Sequence, residues 1–405
     1  MVSEIFPPQT GGSGRWFWEI YRRMPREEIV IAAGEHSRQL EFDRSHDLSV
    51  VRIPLSLKEW GLRSLAGFSG YCRSVRILLW VVEEKRIGVV HCGRCLPEGL
   101  MALALKFWCG IPYVCYAHGE EMNYATSSRE LSWLVRRVLR GARFVIANSR
   151  NTENLLRREW RLSPRRIRLL HPGVDTERFC PGRKDLGIRA RLGWNDRPVV
   201  LTVGRLQKRK GHDQMILALK EVRKTIPDVL YAIVGEGDER AALEALVARE
   251  GLGDHVQFLG EIEDADLVRC YQQCDLFVLA NRQVGQDIEG FGMVLLEAQA
   301  CAKAVIAGAS GGTAETMRIP ETGRVVPCER PHELAHAVTA MLSDREGLVR
   351  MGLAARQWVL EHFDWGALSN QAKLLFACGQ AGSTSPTKQS PRATDSRLSH
   401  CVERP

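Results

Sequence analysis

The sequence has no membrane-spanning segment that stands out. Its most apolar stretch, Gly99 to Ala117, carries Lys106 and is broken at Gly110-Ile111-Pro112, whereas a span needs about 20 nearly continuous apolar residues. It reads instead as a buried helix, a turn and a buried strand. No secretory leader is expected either, because Glu4, Pro7 and Pro8 fall where a basic start and an apolar run would stand. Glycine and proline, 36 and 17 of 405 residues, are too few for a collagen-like or low-complexity chain. No repeat of 20–50 residues is visible, which argues against a solenoid. The 12 cysteines, many inside apolar segments, are expected to be reduced core thiols of a cytosolic protein. Cys92 and Cys95 have Cys-x-x-Cys spacing, but no second pair follows at zinc-ribbon distance.

What is present is an alternation of short apolar runs with helix-like stretches. Expected strands in the first half are Glu28–Ala33, Ser49–Ile53, Gly88–Cys92, Tyr113–Ala117, Phe144–Asn148 and Ile167–Leu170. In the second half they are Val199–Val203, Leu230–Val234, Val256–Leu259, Leu276–Ala280 and Ala304–Ala307. Nearly continuous Val, Ile and Leu is the composition of parallel strands covered on both faces by helices. The fold class is therefore α/β, two Rossmann-like doubly wound domains. The Pro- and Gly-rich stretch His171–Arg191 is the expected link. The division is 1–178 for the first domain, 179–365 for the second, 366–378 for the end of a C-terminal helix, and 379–405 for a disordered tail rich in Ser, Thr, Pro and Gly.

In open parallel sheets, ligands bind beyond the carboxyl ends of the strands. Strand Val199–Val203 runs into Gly204-Arg205-Leu206-Gln207-Lys208-Arg209-Lys210-Gly211. A basic cluster opening a helix suits an anion, since helix N-terminal amides and cations act together; a solvated basic turn is the competing reading. Strand Leu276–Ala280 leads to Glu289-Gly290-Phe291-Gly292-Met293, with Glu297 about one turn into the next helix. Gly290 and Gly292 allow close backbone approach to a phosphate, and the two carboxylates can grip hydroxyls on either side of it; helix capping is the plainer alternative. A third loop, Gly11-Gly12-Ser13-Gly14-Arg15, precedes a helix and could approach phosphates or be an ordinary glycine turn. It is not G-x-G-x-x-G, so the dinucleotide fingerprint is missing.

These motifs resemble the donor site of the family-four retaining glycosyltransferases of the GT-B fold, in which two Rossmann-like domains face a central cleft. His171-Pro172-Gly173-Val174-Asp175 and Gly311-Gly312 match further landmarks of that family over roughly residues 5–370. Glu297-Ala298-Gln299-Ala300-Cys301 is most like the GDP-mannose-dependent phosphatidylinositol mannoside mannosyltransferases. The resemblance implies that Arg205 and Lys210 hold the donor diphosphate. It gives Glu289 the sugar hydroxyls, Glu297 the ribose, and the amides of Phe291 and Gly292 contacts to sugar or phosphate. His118, in Ala117-His118-Gly119-Glu120, falls beside the transferred sugar, or is a satisfied core histidine; Gly12 and Gly14 belong to the loop where acceptor and diphosphate meet. Ala302 and Ala304 depart from the family's usual Gly and Pro, and the first strand is cut short by Pro7.

The implied activity is transfer of a hexose, mannose or glucose, from GDP-mannose or UDP-glucose to a lipid-linked or polysaccharide acceptor. No cofactor is expected: two fixed cations can neutralise the departing diphosphate, and no Asp-x-Asp metal motif is evident. Competing readings are a catalytically inactive sugar-nucleotide-binding scaffold and a GT-B nucleotide-sugar epimerase. Arg129–Arg168 holds 12 Arg against three acids, with Leu131, Trp133, Leu134, Val138 and Leu139 largely on one helical face. That pattern predicts attachment to an anionic membrane at its inner, cytoplasmic face, against the alternative of a solvated basic face over a core helix. Nucleic acid is not an expected partner.

Overall fold

The computed structural model describes residues 1–9, 11–57 and 59–380. The first sheet contains β1 (Val2–Ser3), β2 (Val30–Gly34), β3 (Ser49–Ile53), β4 (Val90–Cys92), β5 (Tyr113–Ala117), β6 (Val145–Ala147) and β7 (Ile167–Leu169). The second contains β8 (Val199–Val203), β9 (Leu230–Val234), β10 (Val256–Gly260), β11 (Leu276–Leu279), β12 (Val305–Gly308) and β13 (Gly323–Val326). The orders are β3-β2-β1-β4-β5-β6-β7 and β10-β9-β8-β11-β12-β13, and all strands within each sheet run parallel. Each is a doubly wound sheet whose order reverses between its first and fourth strands, and that crevice is where such sheets bind ligands. β1 is only two residues long, yet it lies inside its sheet, with the terminal ammonium donating to the Val30 carbonyl at 2.9 Å.

The strands are buried almost throughout because helices cover both faces. Gly99–Ala117 folds as helix, left-handed Gly110 turn and strand, as its composition dictates. The helix Leu65–Glu84 is long and apolar enough to cross a membrane by length and composition. Here it turns Tyr71, Val75, Leu78, Val81 and Val82 into the first lobe's core. The helix Arg129–Gly141 likewise spends Leu131, Leu134, Val138 and Leu139 on that core and leaves Trp133 exposed. Its apolar face is therefore not available to a membrane; what remains outside is Trp133, with Arg137 stacked on it at 5.0 Å, and a basic surface. Cys92 and Cys95 are fully buried in the same core.

The chain crosses between the lobes twice. It first passes through His171–Arg191 and then returns at Phe363–Trp365, after which the helix Trp365–Gln380 docks on the first lobe through Trp365, Leu368 and Ala372. Residues 366–378, expected to end a C-terminal helix, lie within this helix, and Gly379 and Gln380 continue it; the rest of the expected tail lies outside the described residues. The two crossings touch: Val174 pairs with Asp364, its N–H donates to the Phe363 carbonyl at 2.9 Å, and Thr176 donates to Asp364 at 2.6 Å. A Cβ on Gly173 would lie 2.5 Å from that carbonyl, so glycine is needed there.

Candidate active site

Three of the helices that begin at the cleft start on glycine, without a side-chain cap. Helices starting at Leu65, Arg129, Arg150 and Arg345 are capped by Ser64, Ser128, Ser149 and Asp344, each accepting an amide hydrogen. Gly12–Tyr21, His212–Thr225 and Met293–Ala300 instead start from Gly11, Gly211 and Gly292 with no side-chain cap. Their first amides, and the positive end of each helix dipole, are left for an anion. Gly12 lies against Met293, with 3.6 Å between its would-be Cβ and the Met293 sulfur, so two of these helix starts face each other across the cleft.

Close backbone packing fixes the loops. Gly211 is left-handed (φ 72°) and a Cβ there would fall 1.8 Å from the Ala280 carbonyl. Gly311, at φ 71°, would clash with the Glu289 carbonyl at 1.7 Å, and the Gly312 amide donates to that carbonyl at 3.1 Å. The Gly311-Gly312 turn therefore seats Glu289. Gly290 passes so close to the first lobe that a Cβ would lie 2.8 Å from the His118 carbonyl and 3.1 Å from the Asn148 amide nitrogen.

The structure brings Lys210 and Glu289 together at 2.6 Å, both largely buried. Burial raises the Glu289 carboxyl, but Lys210 and Arg209 outweigh it and hold the group below the usual range. Arg209, which the spacing of motifs did not single out, donates to the same carboxylate at 2.7 Å. It also faces Asp287 at 3.0 Å and Glu120 of the first lobe at 3.9 Å. Arg205 is exposed and makes no ion pair among the described residues. Glu297 accepts from Tyr271 at 2.7 Å and meets Arg15 of the opposite lobe at 3.5 Å. Phe291 is buried, stacked on His171 at 5.2 Å, and contributes its main chain to the loop.

His118 is half-buried, edge-on to Trp16 and Phe17. Its Nε2 meets the Gly93 carbonyl at 2.8 Å. A carbonyl only accepts, so the proton of the neutral ring is on Nε2 and Nδ1 is left as an acceptor. Sequence reasoning also missed Glu315, which accepts the amides of Arg150 and Asn151 at 2.7 and 3.0 Å and meets His171 at 3.0 Å. It thereby ties the second lobe to a helix start of the first; burial raises its carboxyl, but His171 and the two amides bring it below the usual range. One Asp-x-Asp triplet does occur, Asp264-Ala265-Asp266. Its exposed carboxylates pair with Arg178 at 2.8 Å and Arg269 at 2.7 Å.

Two doubly wound lobes that face each other, with uncapped helix starts and a buried cation–carboxylate pair at the second lobe's switch point, define a GT-B glycosyltransferase. Solved structures share this fold. Anabaena HepE in complex with UDP superimposes with a TM-score of 0.79 at 20% identity, over 93% of this chain and 98% of that one. Sucrose-phosphate synthase from Thermosynechococcus elongatus gives 0.76 at 24% identity, over 94% and 98%. Residues 10–178 match the family model Glycosyltransferase Family 4, and residues 187–358 match Glycosyl transferases group 1. The GDP-mannose-dependent alpha-(1-6)-phosphatidylinositol monomannoside mannosyltransferase of Mycolicibacterium smegmatis is 32% identical over 372 residues, 90% of this chain and 94% of that protein. A monoacylated-substrate counterpart from Corynebacterium glutamicum is 28% identical over 90% and 94%. The chain belongs to glycosyltransferase family four, and it is a hexosyltransferase.

Proposed function

We propose that the enzyme moves mannose from GDP-mannose to a mannosylated phosphatidylinositol-type lipid, with retention of anomeric configuration and without a metal. The observation that carries this reading is the buried Lys210–Glu289 pair at 2.6 Å beside the uncapped Met293–Ala300 helix; the full-length similarity to the mannosyltransferases supplies the donor and acceptor. Arg205 and Lys210 take the diphosphate, with the main chain at Gly204, Gly12 and Gly14 allowing its approach. Glu289 and the amides of Phe291 and Gly292 bind the hexose, and Glu297 exchanges Arg15 for the ribose hydroxyls. His118 Nδ1 accepts from a hydroxyl of the transferred sugar.

As the anomeric C–O bond breaks, its electron pair goes to the β-phosphate oxygen. The acceptor hydroxyl forms the new bond on the same face, and its proton passes to the departing phosphate. Preorganised cations and amides are worth most where that oxyanion develops.

For acceptor access, the first lobe exposes Phe68, Trp80, Phe107, Trp108 and Trp133, and most of the basic residues of Arg129–Arg168 are exposed as well. Cations with amphipathic aromatics suit an anionic lipid surface, which supports a reading in which the enzyme works at the inner, cytoplasmic face of the membrane. Turnover of GDP-mannose, UDP-glucose and UDP-N-acetylglucosamine, each with and without chelator, tests the reading. GDP-mannose alone is expected to react, insensitively to chelator; preference for UDP-glucose, or a loss on chelation, would refute the donor or the metal-free assignment. Co-sedimentation is expected with anionic vesicles and not with neutral ones.

A further inference from the structure

We propose that Arg209 is a positioning residue of the donor site, holding the Glu289 carboxylate in place against the hexose once Lys210 has turned to the diphosphate. The inference rests on the donor reading above and concerns a residue which that reading does not use.

Two cations converge on one oxygen: Glu289 Oε2 lies 2.6 Å from Lys210 Nζ and 2.7 Å from Arg209 Nη1. They differ in freedom. Lys210 has Glu289 as its one carboxylate partner among the described residues, and its stem runs past Gly204, where the phosphate loop has no side chain to obstruct it. The Arg209 guanidinium hydrogen-bonds Glu289 and faces two further carboxylates as ion pairs without hydrogen-bond geometry, Asp287 at 3.0 Å and Glu120 at 3.9 Å, and the residue is only 4% exposed. Its own carbonyl accepts from the Arg282 amide at 2.9 Å, which pins the backbone. A planar guanidinium with five donors can serve three carboxylates at once; an ammonium cannot do so in one plane.

An incoming diphosphate competes with Glu289 for Lys210. If Lys210 were the sole partner, its departure would strand a charge in a buried site, which is heavily penalised. Arg209 removes the conflict because it cannot follow. Glu120 begins the helix after His118, so the same guanidinium also bridges the catalytic loops of both lobes.

GDP binding and GDP-mannose turnover, measured on the full chain, separate this role from phosphate binding. Arg209→Ala is expected to keep GDP affinity within about threefold while turnover falls roughly 10²-fold. Arg209→Lys, serving one carboxylate, should recover only part of that loss. Arg205→Ala and Lys210→Ala should lose GDP affinity in the same assay. A parallel loss of GDP affinity in Arg209→Ala would make Arg209 one more phosphate ligand and overturn the proposal, as would near-normal turnover. If Arg205→Ala and Lys210→Ala also leave GDP binding untouched, the donor reading itself fails. Asp287→Asn frees one edge of the guanidinium without emptying the site, and so keeps the test open if Arg209→Ala does not fold. A severalfold drop in turnover at constant GDP affinity is expected, and unchanged turnover contradicts the tethering.

Discussion

On the second lobe's side of the cleft, side chains form the surface: Lys210, Arg209, Asp287 and Glu289 are interlocked and mostly buried before any ligand arrives. On the first lobe's side the main chain dominates, with the uncapped Gly12 helix start, the Gly93 carbonyl holding His118, and the His118 carbonyl pressed against Gly290. Two sheets of seven and six strands that reverse order at the same point have thus been given different tasks. A fixed electrostatic cradle suits a compact, highly charged donor, because preorganised charges need not rearrange during reaction. A face of backbone and aromatic edges commits less energy in advance and suits a larger acceptor.

The sharpest break in this contrast is Lys210→Ala, which should lower turnover by roughly 10²–10³-fold in a transfer assay, with no comparable drop for His118→Ala. Next come two glycines with the same backbone angle. Gly311 and Gly110 both sit at φ 71°, but a Cβ at 311 meets the Glu289 carbonyl at 1.7 Å and one at 110 meets nothing within 4 Å. Gly311→Ala is expected to cost about 3 kcal/mol and most of the activity. Gly110→Ala should cost about 1 kcal/mol and leave turnover intact; chemical denaturation and the transfer assay check both.

A third test compares the lobes by pH. Each buries one histidine: His91 is lowered to about 3 and His212 to about 4, from 6.5, chiefly by burial. Below pH 6.5 the unfolded chain takes up protons that the folded chain refuses, so stability is full above that pH and falls as pH drops toward 4. The slope is about 1.4 kcal/mol per pH unit for each group. His212→Gln should remove about half of it in Tm measurements between pH 7 and 5, and an unchanged slope would refute the assignment. The smallest effect is a gain. Ala302 is held at φ 57°, and Ala302→Gly is expected to add about 1 kcal/mol of stability.

The strand pattern could be read from the sequence wherever apolar runs were continuous, as in Val199–Val203 and Tyr113–Ala117. It was less legible at Val2–Ser3, too short to show a pattern, and at β13, where Gly323 and Arg324 dilute the apolar signal. Lys210, Glu289 and Glu297 could be found because glycines frame them. Arg209 could not, since between two lysines it looks like one more solvated charge. A 3-10 turn spans Lys208–Lys210, so consecutive residues point about 120° apart, and only partners some 80 residues downstream decide which of them goes inward. Glu315 is hidden for the same reason: its partners belong to the other lobe.

The paired crossings at Val174 and Asp364 turn a linker into a strap. A single tether would let one lobe swivel freely over the other; two strands joined edge to edge bend easily about one axis and resist twist. Opening and closing of the cleft should then be a single arc, and one pair of distance labels across its rim would follow the whole motion.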